Sequence, residues 1–453
     1  MSKVTANGYP PPLAAFGTVA ALALAFTFSN IDRLIPNLLI EHIKADLKLS
    51  DVEVSLLTGL AFALFYATAA VPIARIADLW SRKYVILIGV AFWSTMTVAS
   101  GLSRSFWQLF VARMGVGVGE AALTPSAFAM VADLFPPERQ ARGMAVFMIG
   151  ASLGAGLSLI VGGLAIRWAE SAGPLIIPGI GTLAIWQTVL IGCGLATFLT
   201  LIPLAFITDP ARKRTAAAPR GHSIRDVGSE LWRHRAAYGC IFLSTPLLSL
   251  AGYGANAWIP AMFIREFGWK AGDIGVTLGA VILVTGGLSL FAGAMLSDFL
   301  RGRGNASASL VVLGFTGALT ALAGLTFLVA NTSAMGFAAV IAFTAALSPM
   351  SAVGPVALQA VAPPAMRAQI SSIFLLVVNL IGIGAGPTVV ALLTDNLFHD
   401  EKRVGDAIGL VVFFACALST IPLVFLLKAY RRLLAQRQEE GGEHAHLRPD
   451  SAR

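Results

Sequence analysis

The sequence predicts an all-α integral membrane protein: twelve transmembrane helices arranged as two pseudo-symmetric six-helix bundles. Three observations predict it. Of 453 residues, 57% are hydrophobic and only 12% charged, where average soluble domains carry about 25% charged residues. Apolar stretches of roughly 20 residues, the length that crosses a bilayer, recur along almost the whole chain. One short charged loop also occurs twice, about half a chain apart: Ala74-Arg75-Ile76-Ala77-Asp78-Leu79-Trp80-Ser81-Arg82-Lys83 and Ala294-Met295-Leu296-Ser297-Asp298-Phe299-Leu300-Arg301-Gly302-Arg303. A hydrophobic chain that repeats a charged turn at half-length reads as two copies of one bundle.

Backbone groups in lipid must bond within their own segment, so the apolar runs are helices. They fall near 13–40, 52–75, 84–103, 106–132, 143–167, 181–207, 237–264, 273–297, 306–330, 333–361, 368–394 and 404–429. The domain plan is a short N-terminal cytosolic tail (1–12), a first bundle (13–207), a cytosolic linker (208–236), a second bundle (237–432) and a tail (433–453). Proline, glycine and clustered arginine mark the linker. Within it Ile224, Val227 and Leu231 recur at helical spacing among charged residues. That pattern fits an amphipathic helix on the membrane surface or a solvated extension of the seventh span. The polar tail reads as disordered. A second echo supports duplication: Pro136-Pro137 before Glu138-Arg139-Gln140-Ala141-Arg142 and Pro363-Pro364 before Ala365-Met366-Arg367 stand at a similar displacement.

The net charge of +8 is a topology signal rather than a nucleic-acid footprint. Arg82, Lys83, Arg139, Arg142, Arg301, Arg303, Arg367, Arg431 and the linker arginines all fall on one side of the proposed membrane. Opposite loops mix signs, as in Glu41-Lys44-Asp46-Lys48. This positive-inside asymmetry places both termini in the cytoplasm of a multi-pass protein of the inner (plasma) membrane. Cys193, Cys240 and Cys416 lie within spans and support no disulfide framework. The first apolar run is too long for a cleavable signal core and reads as a retained helix.

Four charges stand where lipid should be. Asp32 and Arg33 lie in the first span, Arg113 and Glu120 in the fourth. Each costs about 2.5–3.5 kcal/mol at a helix centre, so they need partners or water. Counting about 1.5 Å per residue puts Asp32 and Arg113 at a similar depth, with Glu120 about two turns beyond Arg113 on the same helix face. Two acids and two bases then form a nearly neutral cluster facing an internal cavity. Burial and a neighbouring guanidinium push a carboxyl in opposite directions, so a rearrangement that separates them changes proton occupancy. The other reading is a permanent ion-pair network that fixes helix packing.

Gly115-Val116-Gly117-Val118-Gly119 lacks a preceding strand and is not a dinucleotide fingerprint. The pairs Gly115/Gly119, Gly150/Gly154 and Gly382/Gly386 instead suit close helix approach. Tyr66, Asn256, Trp258, Gln359 and Asn379 are candidates to line a substrate cavity, though each could equally satisfy a neighbouring backbone group, and Pro260 and Pro387 are candidates to loosen the seventh and eleventh helices. No phosphate loop, clustered Cys/His ligand set or nucleophile constellation occurs. Neither cofactor nor metal is therefore expected, and ATP-driven pumps and enzymes are disfavoured.

These features together resemble the major facilitator superfamily over nearly the whole chain. Asp78, Arg82 and Lys83 match its signature Gly-x-x-x-Asp-x-x-Gly-Arg-Lys, while Ala74 and Ser81 replace the glycines. The resemblance implies that this loop is a conformational gate in which Asp78 engages a helix end or Arg139 or Arg142, with Asp298 as its counterpart in the second half. Asn30-Ile31-Asp32-Arg33, Arg113 through Ala121, and Ala132-Asp133 through Arg139 are similar to the Spinster branch. Its members are regarded as transporters of lysolipids and sphingosine phosphate, with acids of spans one and four implicated in proton coupling. By that resemblance Asp32, Glu120, Arg113 and Arg33 would couple protons. The expected activity is secondary transport of an amphiphilic, lysolipid-like substrate by a monomer, with protons and membrane lipids as its other partners and no nucleic acid. The alternative is a proton- or ion-coupled symporter of small organic anions, since anion–cation symporters carry a similar Asp-Arg pair and glycine-rich fourth span. A channel or an intramembrane enzyme stands further off.

Overall fold

The computed structural model describes residues 9–179, 181–207, 209–210 and 224–446. Among them, twelve helices are long and apolar enough to cross a membrane. They are spans one to twelve: Pro12–Leu38, Asp51–Ala77, Arg82–Gly101, Phe106–Leu134, Arg142–Ala172, Ile185–Phe206, Arg235–Phe267, Ala271–Gly302, Ala308–Phe327, Ser333–Val361, Gln369–Phe398 and Glu401–Phe425. The predicted all-α, twelve-span fold is thus present, with span ends differing from expectation by a few residues. Exposed Val71, Trp107, Phe206, Leu288 and Phe425 suit a surface whose solvent is hydrocarbon.

The chain forms two compact units. One comprises Met1–Arg214, Gly254–Val284 and Ile383–Ala407; the other comprises Thr215–Tyr253, Thr285–Gly382 and Ile408–Arg453. In the first unit, span one packs on span five, and span three packs on spans four and six. Span two opens with a reciprocal cap: Ser50 Oγ accepts from Glu53 N–H while the Glu53 carboxylate accepts from Ser50 N–H. It then loosens into a π-helical turn, Leu56–Leu60, and span eleven carries another, Leu380–Ala385. Gly59 crosses so close to the second turn that a Cβ would stand 2.6 Å from Ile383 O. Only glycine permits that approach. A two-rung hairpin, Ile176–Ile177 with Gly181–Thr182, links spans five and six.

In the second unit, the helix Ile224–Arg233 precedes span seven. A single turn residue, His234, stands between the two, and backbone bonds from His234 N to Glu230 O and from Tyr238 N to His234 O run through it. Val227 is buried, whereas Trp232 is exposed beneath the Arg235 guanidinium, 5.4 Å from its ring centroid. After span twelve a further helix runs Leu427–His446. This corrects the reading of residues 433–446 as part of a disordered tail, because they continue that helix. Composition missed the anchors. Arg437 pairs with Glu230 and donates to Val361 O at 3.3 Å, and Tyr430 Oη donates to Ala357 O at 2.9 Å. Residues 1–8, 211–223 and 447–453, parts of the predicted tails and linker, lie outside the described residues.

Candidate transport site

The site begins with a missing backbone bond. Pro36 sits inside span one and carries no N–H, so the carbonyl four residues earlier, that of Asp32, loses its helical donor. Arg113 of span four fills the vacancy. Its Nη1 donates to Asp32 O at 3.2 Å and its Nη2 to Arg33 O at 3.4 Å. The side chain is fully enclosed, 2% exposed, so its charge is met by carbonyl dipoles rather than water.

Span four is itself interrupted. Its first segment ends at Glu120, and a turn at Ala121-Ala122 precedes the second. The Glu120 carboxylate therefore projects from a helix end, where Oε2 accepts from Ser29 Oγ at 2.7 Å and from Arg33 Nη2 at 2.6 Å. Arg33 lies over two stacked rings, 4.6 Å from the Phe62 centroid and 5.2 Å from that of Tyr66. Such cation–π contact keeps a guanidinium in place at the edge of an apolar interior. Span four comes near enough for this because Gly117 lies against span two, where a Cβ would stand 2.6 Å from Phe62 O.

Asp32 is 0% exposed. Its Oδ2 lies 2.9 Å from Thr197 Oγ1 of span six, and its Oδ1 has no hydrogen-bond partner. The four predicted charges thus share one buried region but split into two arrangements. Glu120 meets Arg33, whereas the Asp32 carboxylate meets a hydroxyl and Arg113 meets main chain. Ser29, Thr197 and Phe62 carry no mark in the sequence that would single them out. A proline four residues after a buried acid was the one signal that could have been read.

At one end of the spans, the charged loop Ser81-Arg82-Lys83 ties three elements. Arg82 pairs with Asp133 and donates to Ala129 O at 3.2 Å. Lys83 Nζ donates to Ala205 O at 2.6 Å, and Ser81 Oγ to Asp209 Oδ2 at 2.7 Å. Asp133 was not among the expected gate residues, whereas Arg139, Arg142 and Asp298 are exposed. The Asp78 side chain lies outside what the structure describes. Of the cavity candidates, Tyr66 stands beside Arg33, and Asn256 and Asn379 are half-buried. Gln359 is exposed. Trp258 is 0% exposed and donates Nε1–H to Pro387 O at 2.9 Å. That indole bridges two helices, the backbone-satisfying one of its two readings.

The opposite end holds a charge network that loop composition did not reveal. Arg265 donates from Nη1 to Asp51 Oδ2 at 2.6 Å, from Nη2 to Asp51 Oδ1 at 2.8 Å and from Nε to Glu41 Oε1 at 2.8 Å. Lys44 Nζ adds contacts to Asp51 Oδ1 at 2.5 Å and Glu401 Oε1 at 2.8 Å. Asp51 is 0% exposed. In the helix Ile40–Leu47 between spans one and two, burial raises the Glu41 carboxyl above its ordinary range against the pull of Arg265. Burial likewise lowers the neighbouring His42 imidazole, with Glu170 opposing.

The profile of the Major Facilitator Superfamily matches residues 19–387, and the chain belongs to that family of membrane transporters. Within it the chain is Spinster-like. It is 24% identical to the sphingosine-1-phosphate transporter SPNS2 of Danio rerio, over 90% of this chain and 82% of that protein. It is 31% identical to an MFS-type efflux pump of Mycolicibacterium smegmatis, over 88% of this chain and 90% of that one. Among solved structures, a bacterial homolog of the human lysosomal transporter Spinster, inward-facing and unoccupied, superposes with a TM-score of 0.72 at 23% identity. That match covers 94% of this chain and 97% of the other.

Proposed function

We propose that this chain is a proton-coupled secondary transporter that moves an amphiphile with an anionic headgroup, lysolipid-like in build, by alternating access. The observation that carries the reading is the buried Arg33–Glu120 pair, 2.6 Å long, with Asp32 held apart from it on the same span. Intramembrane ionisable groups mark substrate and proton pathways, and an acid released from its cation changes its proton affinity. Asp32 and Glu120 take the protons, while Arg113 restrains them from within the helix pair and Arg33 presents positive charge to a headgroup.

The positive-inside pattern supports a cytoplasmic Arg82 end and cytoplasmic termini, and the proposed protein acts as a monomer in the plasma membrane. The Arg265–Asp51 network then closes the outer side, and the Arg82–Asp133 pair belongs to the inner gate. Residues 13–207 and 237–432 are the two halves that exchange access. The efflux-pump relative supports export as the direction.

Purified protein in proteoliposomes under an imposed pH gradient tests the reading. Accumulation of a single-chain phospholipid that collapses in Glu120→Gln and Asp32→Asn supports it. Accumulation indifferent to both variants removes the coupling assignment. Transport of short carboxylates without lysolipid replaces the substrate class with small organic anions.

A further inference from the structure

The helix after span twelve carries on the helical run of that span. Leu426 N–H donates to Pro422 O at 2.9 Å and Tyr430 N–H to Leu426 O at 3.0 Å, so backbone bonds cross the single bend residue, Leu426. One face can therefore be followed out of the membrane. Phe414, Leu418, Ile421 and Phe425 are exposed, and their spacing makes one stripe of an α-helix. The next positions on that stripe are Lys428 and Arg432, both exposed. Lys428 stands about 4.5 Å beyond Phe425 along the axis, and Arg432 about 10 Å. The headgroup layer on each side of the hydrocarbon is roughly 5–8 Å deep. A face that meets acyl chains as far as Phe425 thus meets phosphates with two cations.

Two more cations join them. Arg431, a helical neighbour of Lys428, donates Nε–H to Ser307 Oγ at 3.0 Å, where span nine begins. Arg301, where span eight ends, donates from Nη2 to Ser309 Oγ at 3.3 Å. Each guanidinium thus places one of its several N–H donors on a neutral hydroxyl of the same turn. No carboxylate pairs with Arg301, Lys428, Arg431 or Arg432 among the described residues. Asp298, one turn before Arg301, is exposed, and no other acid occurs in residues 299–330 or 407–437. Glu439 follows only two turns past Arg432. Like charges three and four residues apart weaken a helix. Elsewhere this protein answers such cations with acids, Arg82 with Asp133 and Arg437 with Glu230. This surface offers four cations and no paired acid of its own.

We propose that Arg301, Lys428, Arg431 and Arg432 form a binding site for one anionic phospholipid of the cytoplasmic leaflet. Its acyl chains lie along the stripe from Phe414 to Phe425. Its phosphate meets Lys428 and Arg432, and Arg301 and Arg431 offer their remaining N–H donors from the adjoining turn. Charge complementarity selects the headgroup, since every cation near the surface adds to the attraction for anionic lipid. The apolar stripe selects a lipid over a free phosphate. A lipid held there ties the ends of spans eight, nine and twelve within the second unit, and it is separate from the buried Arg33–Glu120 site. The leaflet follows from the cytoplasmic termini proposed above. The site itself does not depend on the transport reading.

Native mass spectrometry of the purified, delipidated full chain tests it, with phosphatidylglycerol and phosphatidylcholine of the same acyl chains titrated separately. The first phosphatidylglycerol is expected to bind about tenfold or more tightly than the first phosphatidylcholine. Lys428 and Arg432 make no hydrogen bond or ion pair among the described residues, so Lys428→Gln with Arg432→Gln leaves the fold intact. That double variant should lower phosphatidylglycerol affinity about 25-fold, near fivefold per charge, and Arg301→Gln should lower it about fivefold again. Lys48→Gln with Lys402→Gln removes the same charge from exposed positions in the loops after spans one and eleven and should leave the affinity unchanged. Equal binding of the two lipids, or equal losses in the two double variants, overturns the site. Inorganic phosphate that displaces the lipid at comparable concentration reveals an anion site indifferent to acyl chains, and overturns the lipid as its occupant.

Discussion

Arg265 grips Asp51 with both terminal nitrogens, Nη1 to Oδ2 at 2.6 Å and Nη2 to Oδ1 at 2.8 Å. The pair is enclosed: the Arg265 side chain is 5% exposed and that of Asp51 0%. Breaking a buried pair by removing one partner typically costs about 3–5 kcal/mol, because the other charge is stranded. Arg265→Ala is expected to lower the melting temperature and to raise the labelling of cysteines introduced next to Glu41. Arg265→Lys recovers little of this, since an ammonium cannot match the two-point geometry. Labelling equal to the wild type in Arg265→Ala would remove this contact from the closure of that end.

Arg113 and Pro36 are expected to be energetically coupled through the Asp32 carbonyl. Pro36→Ala returns an N–H to the helix and gives that carbonyl an intrahelical donor, so Arg113 loses part of its reason to be held there. A double-mutant cycle with Arg113→Gln, read by thermal denaturation, should give an interaction energy of about 0.5–3 kcal/mol. Strict additivity would separate the proline from the arginine.

Gly59 tolerates no side chain against the π-helical turn of span eleven, where a Cβ would fall 2.6 Å from Ile383 O. The obstacle is backbone, which cannot rotate aside. Gly59→Ala is expected to cost about 1–3 kcal/mol and to loosen the crossing of spans two and eleven, seen as faster amide hydrogen exchange in residues 56–60. Gly17, with open space around it, serves as the control, and Gly17→Ala should be close to neutral.

His42 supplies a pH dependence. Burial depresses its imidazole, and Nδ1 is buried with no partner. The unfolded chain binds a proton near the ordinary histidine value of about 6.5, while the folded chain resists it. Stability is therefore full above that value and falls as the pH drops below it, until the depressed folded value is reached. Melting temperatures measured from neutral to mildly acid pH should decline in the wild type and decline less in His42→Gln. Parallel curves would place the acid sensitivity elsewhere.

Hydropathy made the twelve spans legible because lipid permits one backbone solution per apolar run. The duplicated Asp78 and Asp298 loops made the repeat legible as well. The membership of the buried site was readable too, since Asp32, Arg33, Arg113 and Glu120 are conspicuous among apolar neighbours. Its wiring was not. Thr197 and Ser29 are unremarkable in sequence, and their value comes from helix rotations that a periodicity does not specify. Arg265 and Asp51 stand beside span ends, where charges are common, and the groups that enclose them come from distant parts of the chain. Trp258 stood open between two readings, because an amphipathic ring at a span centre suits a ligand wall as well as a strut, and its partner, the Pro387 carbonyl, is not visible in sequence.

The helix that follows span twelve offers an experimental handle. It is pinned through Tyr430 to Ala357 and through Arg437 to Glu230 and Val361, while Ala435 and Gln436 between those anchors face outward. A spin label at Ala435 would ride on the second unit as a rigid pointer. Distances from it to a matching label would then report the motion of that unit as a body, free of the tether wobble that blurs probes on a chain end.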